Sequence, residues 1–545
     1  MSIPETRDSS SVQATRCDAL VVGAGLAGLY QLHCLRDRLG LSVKVLEAGA
    51  GVGGTWYWNR YPGARCDSES HAYGFSFSEE LVREWEWTER FPAQPDVLRY
   101  ADHVADRFDL KRDIRFNTRV VEARYDEKAN LWEVRSEAGE RFSATFLITA
   151  VGCLSAANVP NIPGLETFKG RWVHTGQWPH DGVDFSGKRV GLIGTGSTGI
   201  QAAPVIAETA AHLCVFQRSP TYSVPAKNAP LTPEFKRYVR ENAAAIRRAK
   251  EASSSGHTFQ NSERLALRTP PAERQALYEA AWTKGGIEFR TTFGDLMASK
   301  AANDTAATFV RDKIRAIVKD PLTAHKLTDI DHPYAGKRPP IDINYYETFN
   351  RSNVTLVDVR AAPIEEITAG GIRTSDTHYP LDIIVFATGY DALTGPLLRM
   401  GIQGRGGRLL AEEWKAGPRT YLGLQIAGFP NLFTVTGPGS PSVLTNMTVA
   451  IEQHAEWIAD CIGHMLEKGF RRIEAEPEAM TQWAKQVEEA AGATLLSSVT
   501  TSWYLGANVP GKPRVFMPYA GGMARYREIC ADVAARNYEG FSLGD

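Results

Sequence analysis

The sequence predicts an α/β fold with two Rossmann-like domains and a helical insertion. First, an apolar, strand-like run leads into a glycine-rich turn and a helix-forming stretch twice, at 18–30 and at 188–201. The glycines of these turns are Gly23, Gly25 and Gly28, and Gly194, Gly196 and Gly199. Second, the stretch 226–335 is charged and helix-forming. Glycines at this spacing allow a tight turn, close approach of the backbone to a pyrophosphate and close helix–strand packing, so each turn predicts a dinucleotide site.

The residue after the second strand of each unit predicts which dinucleotide binds there. In the first unit Glu47 follows the apolar run 43–46, where a carboxylate can accept hydrogen bonds from the ribose hydroxyls of an unphosphorylated adenosine. In the second unit Arg218 and Ser219 stand in that place, and they suit the 2′-phosphate of NADP. Two dinucleotide sites of different charge on one chain predict a bound flavin that is reduced by a nicotinamide.

Composition limits the possible partners. A chain of 545 residues can form two to four domains, and 43% apolar with 23% charged residues is ordinary for a globular protein. The formal net charge of −2 gives no reason to expect nucleic acid or an anionic membrane as a partner. The seven cysteines include no C-x-x-C pair, so neither a disulfide framework nor a metal site is expected. The polar start and the lack of a long apolar run predict a cytoplasmic protein without a membrane span.

The order of the patterns predicts that the second unit is inserted within the first. Strand-like returns at 142–150 and 382–391 bracket the second glycine turn. The predicted order is a flexible tail at 1–16, the FAD-binding domain at 17–153, the NADP-binding domain at 154–225, the helical insertion at 226–335, the rest of the NADP-binding domain at 336–388 and the rest of the FAD-binding domain at 389–545. The last part is expected to carry the substrate pocket and a lid loop at 502–522, which is rich in Pro, Gly and aromatic residues.

The loop 51–63, which follows the first unit, combines glycines with aromatic residues. The glycines disfavour a stable helix, so we expect this loop to pass close to the flavin. Trp56 and Tyr61 are expected to line the flavin, whereas Trp58 is expected to pack in the core. Asp67, a few residues on, is compatible from local sequence with a cap, a solvated position or a chemical role.

The segment between the two glycine turns carries Phe168, Gly170, His174, Trp178 and Pro179 in the pattern F-x-G-x-x-x-H-x-x-x-W-P. This pattern resembles the fingerprint of type I Baeyer–Villiger monooxygenases at every fixed position. The similarity covers nearly the whole chain, including G-G-T-W-Y-W-N-R-Y-P-G-A-R-C-D, both glycine turns and A-T-G-Y-D. The segments G-P-G-S-P-S-V-L-T-N-M and S-W-Y-L-G-A-N-V-P-G-K-P-R-V-F-M-P-Y look most like the phenylacetone and steroid monooxygenase branch.

The resemblance implies an NADPH-dependent flavin monooxygenase that uses O₂ to convert ketones to esters or lactones. In that family a C4a-peroxyflavin attacks the ketone to form a Criegee adduct. Arg338 matches the arginine that stabilises the peroxide, and Asp67 matches the acid that holds this arginine, so both are expected to be catalytic. Lys337 would join Arg218 and Ser219 at the 2′-phosphate.

The resemblance also implies the residues around the substrate and the cofactors. Leu444 and Met447 match positions that line the ketone pocket, and Trp503 matches the lid tryptophan over the nicotinamide and substrate. His174 is interpreted as a hinge between the nucleotide units, because no acid or nucleophile is spaced to make it a general base. The residues expected to bind the cofactors are Gly23, Gly25, Gly28, Glu47, Gly54, Thr55, Trp56, Tyr61, Asp67, Tyr73, Gly194, Gly196, Ser197, Gly199, Arg218, Ser219, Lys337 and Trp503.

Three other functions are considered. A flavin-containing monooxygenase that oxidises nitrogen or sulfur shares both nucleotide sites. A pyridine-nucleotide–disulfide reductase also has two Rossmann units, but Cys34 and Cys66 are not spaced as its redox pair. A non-enzymatic flavin- or NADP-binding regulator would leave Asp67, Arg338 and the fingerprint unexplained. We therefore expect a Baeyer–Villiger monooxygenase for bulky, cyclic, aromatic or steroid ketones, acting as a monomer or weak homo-oligomer.

Overall fold

Two β-sheets organise the chain in the computed structural model, which describes residues 14–544. The strands within these residues are β1 (Thr15–Val22), β2 (Val43–Leu46), β3 (Ile114–Arg115), β4 (Val120–Asp126), β5 (Leu131–Ser136), β6 (Arg141–Thr149), β7 (Arg171–His174), β8 (Arg189–Ile193), β9 (His212–Gln217), β10 (Val224–Pro225), β11 (Ile341–Asp342), β12 (Val354–Asp358), β13 (Ile364–Thr368), β14 (Gly371–Thr374), β15 (His378–Pro380), β16 (Ile383–Phe386), β17 (Ile402–Gln403), β18 (Leu432–Thr434), β19 (Arg472–Ala475) and β20 (Phe541–Gly544).

The α-helices of the described residues surround these sheets. They are α1 (Leu26–His33), α2 (Thr55–Trp58), α3 (Ser70–Tyr73), α4 (Glu79–Glu84), α5 (Gln94–Arg107), α6 (Ser197–Thr209), α7 (Pro233–Glu241), α8 (Ala243–Ala252), α9 (Pro271–Lys284), α10 (Lys300–Ile317), α11 (Pro321–Thr328), α12 (Tyr345–Thr348), α13 (Gly395–Leu398), α14 (Leu410–Glu413), α15 (Met447–Lys468), α16 (Pro477–Gly492) and α17 (Met523–Ala535).

The first sheet has the strand order β17-β4-β5-β6-β1-β2-β3, and β18 also pairs with β6. Strand β1 runs parallel to both of its neighbours, β2 and β6. Strand β6 pairs with antiparallel β5 over its first half and with parallel β18 over its second half. The chain therefore leaves this sheet after β6, builds the second sheet, and returns with β17 and β18.

The second sheet has the order β12-β9-β8-β16-β7, and all of its pairings are parallel. Its central strand β8 is buried from Val190 to Ile193 and β16 along its whole length, as expected for a parallel sheet covered on both faces. A small antiparallel sheet, β13-β14-β15, connects β12 to β16. Two sheets, each with a strand–glycine turn–helix unit, confirm the predicted α/β fold class with two Rossmann-like domains.

Helices α7 to α11 lie in the stretch predicted as a helical insertion. Helix α10 buries Ala302, Ala306, Val310 and Ile314 in the same apolar core as the second sheet, so this helix packs as part of the second unit. Within this stretch α7 and α8 are separated at Asn242, whose backbone leaves the helical region with φ −114° and ψ 19°.

Three further findings concern the N-terminal tail, the helices and the cysteines. The predicted N-terminal tail, 1–16, falls mostly outside the described residues, and β1 already begins at Thr15. Over residues 14–544 no helix combines the length and the apolar character needed to cross a lipid bilayer. All seven cysteines are buried and free.

Asp342 on β11 is a buried acid whose titration should be visible in stability. Its Oδ2 accepts a hydrogen bond of 2.7 Å from the Ser223 hydroxyl, and burial raises its pKa from the ordinary value of 3.8 to about 7. Because the folded state then binds the proton more tightly than the unfolded state, this group stabilises the fold below pH 3.8 and loses that contribution as pH rises to about 7. The full difference corresponds to at most about 4 kcal/mol.

We therefore expect Asp342→Asn to flatten the dependence of the thermal unfolding midpoint on pH between about 4 and 7, relative to wild type. The FAD-loaded protein is to be melted at closely spaced pH values. Asp181→Asn, at a side chain that is 80% exposed, is the control and should leave the curve unchanged. Parallel curves for Asp342→Asn and wild type would contradict this assignment.

Candidate functional site

The first glycine turn can be formed only by glycine at two positions. Gly23 has a φ of +101°, and a Cβ on it would lie 2.6 Å from the carbonyl oxygen of Ala150. A Cβ on Gly28 would lie 1.8 Å from the carbonyl oxygen of Gly23, so any side chain would push α1 away from β1. Gly25 is the residue before α1, where the free backbone N–H groups of the helix favour an anion.

Glu47 presents its carboxylate beside this turn. Its Oε2 accepts a hydrogen bond of 2.7 Å from the N–H of Ala24, and its Oε1 accepts one of 2.7 Å from the N–H of Gly49. Burial raises the pKa of Glu47, and these N–H donors oppose that shift. Each carboxylate oxygen keeps a free lone pair, so this side chain can accept from two ribose hydroxyls.

The loop predicted to contact the flavin lies against the first turn. Gly54 has a φ of +53°, and a Cβ on it would lie 2.8 Å from the Cα of Gly25, which places Gly54 and Thr55 beside that turn. The indole N–H of Trp56 donates to the Tyr73 hydroxyl at 3.0 Å, and both rings are buried. Trp56 and Tyr73 therefore form a buried, hydrogen-bonded aromatic pair that belongs to the first unit.

Tyr61 lies elsewhere than the other residues of this loop. Its hydroxyl donates to Oε1 of Gln201 at 2.7 Å, on helix α6 of the second unit. Its ring belongs to the apolar core of the second unit, with Ile200 and Trp178. The structure thus gives Tyr61 a bridging position between the units, and its contact with the flavin stays a prediction.

The second glycine turn repeats the first and leaves one side open. Gly194 has a φ of +111°, and a Cβ on it would lie 2.4 Å from the carbonyl oxygen of Ala387, at the end of β16. A Cβ on Gly199 would lie 2.1 Å from the carbonyl oxygen of Gly194. Around Gly196, by contrast, no described residue other than its two chain neighbours places an atom within 4 Å of the Cβ position, and Ser197 begins α6 directly after it. The open side of the turn is where a pyrophosphate can approach the backbone.

These two environments predict different effects of the same substitution. Gly199→Ala should lower the thermal unfolding midpoint and the yield of folded protein, because the new methyl group overlaps a backbone oxygen. Gly196→Ala should keep the unfolding midpoint and the FAD content but raise KM for NADPH at least about tenfold, equivalent to roughly 1.4 kcal/mol. An unchanged KM in a folded Gly196→Ala variant would exclude close approach of the cofactor at this glycine.

Arg218 and Ser219 follow β9 directly, and the cation Lys337, which precedes β11, lies near Arg218. Burial lowers the pKa of Lys337, the positive charge of Arg218 lowers it further, and Asp331 opposes both. Arg218 and Lys337 are therefore close enough for their charges to repel. The Thr195 hydroxyl, on the glycine turn, donates to the backbone oxygen of Ser219 at 3.0 Å. A phosphate between the two cations would relieve this repulsion.

Arg338 and Asp67 form an ion pair between the two units. The Nη2 of Arg338 lies 3.5 Å from the Oδ2 of Asp67, and their side chains are 31% and 11% exposed. Burial raises the pKa of Asp67, and the charge of Arg338 opposes that rise. The other carboxylate oxygen, Oδ1, is buried without a hydrogen-bond partner within the described residues. The pair thus offers a held guanidinium and a free acceptor to a ligand.

The three predicted pocket residues pack together. Leu444, Met447 and Trp503 all lie against one apolar cluster built on Val443 and Tyr504. The Trp503 and Tyr504 ring centroids are 4.5 Å apart. Burial raises the pKa of Tyr504, and the charge of Arg338 opposes that shift, so the lid, the pocket and the ion pair share one region.

The fingerprint segment ties the two units together. His174 is buried, its Nδ1 accepts from the N–H of Gly176 at 3.0 Å, and burial lowers its pKa to about 4. It is therefore neutral at physiological pH, and its hinge role stays a prediction. A Cβ on Gly170 would lie 2.3 Å from the carbonyl oxygen of Asp382, and the N–H of Trp178 donates to the carbonyl of Trp58, in the first unit, at 3.3 Å.

The structure adds residues that the sequence motifs did not single out. The lid is held by Lys512, whose Nζ donates to Oδ1 of Asp391 at 2.6 Å, and by Asn508, whose side-chain N–H donates to the carbonyl of Tyr390 at 2.6 Å. Asp391 belongs to the A-T-G-Y-D segment, so the family resemblance could have indicated the contact between Lys512 and Asp391. Arg290, in the helical insertion, also reaches the site, and no local pattern marks it.

Comparison with known proteins agrees with this geometry. A model of the flavin-binding monooxygenase-like family matches residues 17–227. The Baeyer–Villiger monooxygenase of Pseudooceanicola batsensis is 45% identical over 537 residues, which are 98% of this chain and 97% of that protein. The structure of oxidized steroid monooxygenase bound to NADP is similar with a TM-score of 0.93 and 52% identity, over 97% of this chain and 100% of that one. OTEMO in complex with FAD and NADP is similar with a TM-score of 0.93 and 43% identity, over 98% of this chain and 100% of that one.

Proposed function

Because the chain belongs to the flavin-binding monooxygenase-like family, we propose that it is an FAD-dependent, NADPH- and O₂-using Baeyer–Villiger monooxygenase. It inserts one oxygen atom beside the carbonyl of a ketone and forms an ester or a lactone. The observation that carries this function is the Arg338–Asp67 pair, which lies between two dinucleotide turns and beside an apolar pocket.

The residues present fit both cofactors. We assign FAD to the first unit, at the turn Gly23–Gly28 and Glu47, and NADPH to the second, at the open side of Gly196 and the cations Arg218 and Lys337. The orphaned Oδ1 of Asp67 supplies a further acceptor between them. Bound FAD, reduced by NADPH, would supply the activated oxygen.

The chain's own residues would bind the ketone and stabilise charge. Leu444, Met447 and Trp503 offer an apolar surface that holds the hydrocarbon part of the ketone and excludes water. The planar guanidinium of Arg338 can stabilise the negative charge that develops on the ketone oxygen during attack. Asp67 orients that guanidinium and balances its charge before the substrate binds. This arrangement is suited to carbonyl chemistry more than to oxidation of nitrogen or sulfur, where no oxyanion forms on the substrate.

The experiment that tests the function is product mass spectrometry under ¹⁸O₂ with FAD-loaded protein, NADPH and a panel of ketones. An ester or lactone heavier by one ¹⁸O atom is the expected product. NADPH consumption without a labelled ester, together with labelled oxides from matched amines and sulfides, would replace this function by heteroatom oxygenation.

We propose bulky, cyclic, aromatic or steroid ketones as the substrate class. The tail segments that resemble the phenylacetone and steroid branch support this, as does the similarity to a steroid monooxygenase at 52% identity. The same panel ranks the ketones by kcat/KM, and higher values for acetone or butanone than for phenylacetone or a steroid ketone would contradict the proposal.

We further propose that the protein works in the cytoplasm as a monomer or weak homo-oligomer. Its seven buried, free cysteines are compatible with a reducing compartment. Sedimentation velocity over a range of concentrations tests the oligomeric state, and a stable oligomer at low concentration would contradict it.

A further inference from the structure

Arg290 is a half-buried cation carried by a firmly packed turn. The short 3₁₀ turn Ile287–Thr291 buries Ile287 and Phe289, which pack in the core of the second unit. The ring of Phe289 lies edge-on to Tyr334, with centroids 5.4 Å apart. Tyr334 precedes Arg338 by four residues, so the turn that carries Arg290 packs against the segment that carries the catalytic arginine.

The charges around Arg290 place it at the substrate pocket. Burial and the neighbouring charge of Arg338 lower the pKa of Arg290. The charges of both arginines oppose the burial-raised pKa of Tyr504 and add to the burial-lowered pKa of His257. Tyr504 belongs to the lid cluster with Leu444, so these groups lie in one region near that cluster.

The residue before His257, Gly256, contacts the segment that carries the pocket residues. A Cβ on Gly256 would lie 2.7 Å from the Thr445 hydroxyl, and the side-chain N–H of Asn446 donates to the carbonyl of Gly256 at 3.1 Å. Thr445 and Asn446 stand between the pocket residues Leu444 and Met447. His257 therefore lies next to the pocket.

The Arg290 guanidinium has no counter-ion within the described residues. No carboxylate oxygen lies within 4.0 Å of it, and it makes no hydrogen bond to residues 14–544. The carboxylate of this region, Asp67, pairs with Arg338. The buried Lys250, also near His257, adds a second positive group and is hydrogen-bonded to the backbone oxygens of Ala72 and Gly74. Burying a charge without a partner is costly, and the Arg290 side chain is half-buried, so a ligand that carries the opposite charge can offset this cost.

We propose that Arg290 is a specificity-determining residue that binds a carboxylate carried by the ketone, so that the enzyme prefers keto acids. This rests on the proposed function and names its substrate class more closely. The planar guanidinium matches a carboxylate with two parallel hydrogen bonds, and the apolar residues Leu444 and Met447 take the hydrocarbon between the carboxylate and the ketone. We assign the cofactor phosphates to the glycine turns and to Arg218 and Lys337, whereas the charge that acts on Arg290 is that of Arg338.

The test compares phenylacetone with its analogues that carry a carboxylate on the ring, meta or para to the ketone side chain. In wild type, kcat/KM for at least one keto acid should exceed that for phenylacetone by about 10- to 100-fold. Arg290→Met should remove this preference and leave phenylacetone within about threefold of wild type, and Arg290→Lys should restore part of it. Arg268→Met, at an exposed arginine of the same insertion, is the control and should change neither value.

The outcomes separate the proposal from its premise. Equal kcat/KM values for all these ketones in wild type, or equal losses for both classes in a folded, FAD-loaded Arg290→Met variant, would overturn the role of Arg290 in recognising a carboxylate. The matching ring-carboxylated alcohols, which cannot react, are titrated into the FAD- and NADP⁺-loaded protein and followed by flavin absorbance. Arg290-dependent binding of these alcohols, with no ester from any ketone, would support the recognition site and reject the monooxygenase reaction.

Discussion

Arg338→Ala is expected to lower ester formation by at least about 10²- to 10³-fold while NADPH still bleaches the flavin at a rate within a few fold of wild type. The guanidinium is held by Asp67 at 3.5 Å and faces the lid cluster, so its loss removes charge stabilisation at the reacting carbonyl. The cations assigned to the 2′-phosphate, Arg218 and Lys337, are untouched by this change. Stopped-flow absorbance measures the bleaching, and product analysis measures the ester.

Two further variants test whether the effect depends on the guanidinium shape and on this position. Arg338→Lys keeps a positive charge but loses the planar fork, so its ester yield should lie between those of wild type and Arg338→Ala. Arg268→Ala removes an exposed arginine of the insertion and should behave as wild type. Hydrogen peroxide should accumulate in Arg338→Ala as NADPH is consumed. Ester at the wild-type rate from Arg338→Ala would remove this residue from the chemistry.

The second large effect is expected at the nucleotide site of the second unit. Arg218→Ala should raise KM for NADPH by about 10- to 100-fold and change KM for NADH by less than about threefold, because only NADPH carries the 2′-phosphate. Steady-state kinetics with both nucleotides measures the ratio. The same substitution should also raise the pKa of Lys337, since the charge of Arg218 now lowers it.

Ser219→Ala provides a graded comparison, because a neutral hydroxyl contributes less to phosphate binding than a guanidinium. Arg189→Ala is the matched control: this arginine lies at the start of strand β8 in the same sheet and pairs with Asp382 at 2.7 Å, away from the glycine turn. Equal increases in KM for NADPH and NADH in Arg218→Ala would exclude a contact with the 2′-phosphate.

Several parts of the site could be predicted because their causes are local. Gly23 and Gly194 need positive φ, and any Cβ on Gly28 or Gly199 would meet a backbone oxygen a few residues earlier, so a short window of sequence contains the whole reason for these residues. Glu47 was predictable for a related reason. Parallel strands end at the same edge of a sheet, so a residue at the end of β2 must lie beside the turn after β1.

Other features depended on packing between distant segments. The helix-forming stretch of the insertion is divided at Asn242 into α7 and α8, a boundary that the sequence pattern did not mark. Tyr61 follows the flavin-side loop in sequence but packs on Gln201 of the second unit, because the loop crosses between the units there. The pairing of Arg338 with Asp67 followed from a family resemblance, since the spacing of the two residues carries no information about it.

By itself, the sequence determined the two nucleotide units and, through its fingerprint, the reaction class, and it predicts which side chains select each nucleotide. These features lie within single strand–turn–helix units, where backbone geometry and a few side chains decide the outcome. Only the tertiary structure decided that Arg290, from the insertion, lies near Arg338 and the lid with no counter-ion among residues 14–544. That arrangement depends on how three separate segments pack, and the burial and charge that make Arg290 significant exist only once they have packed together.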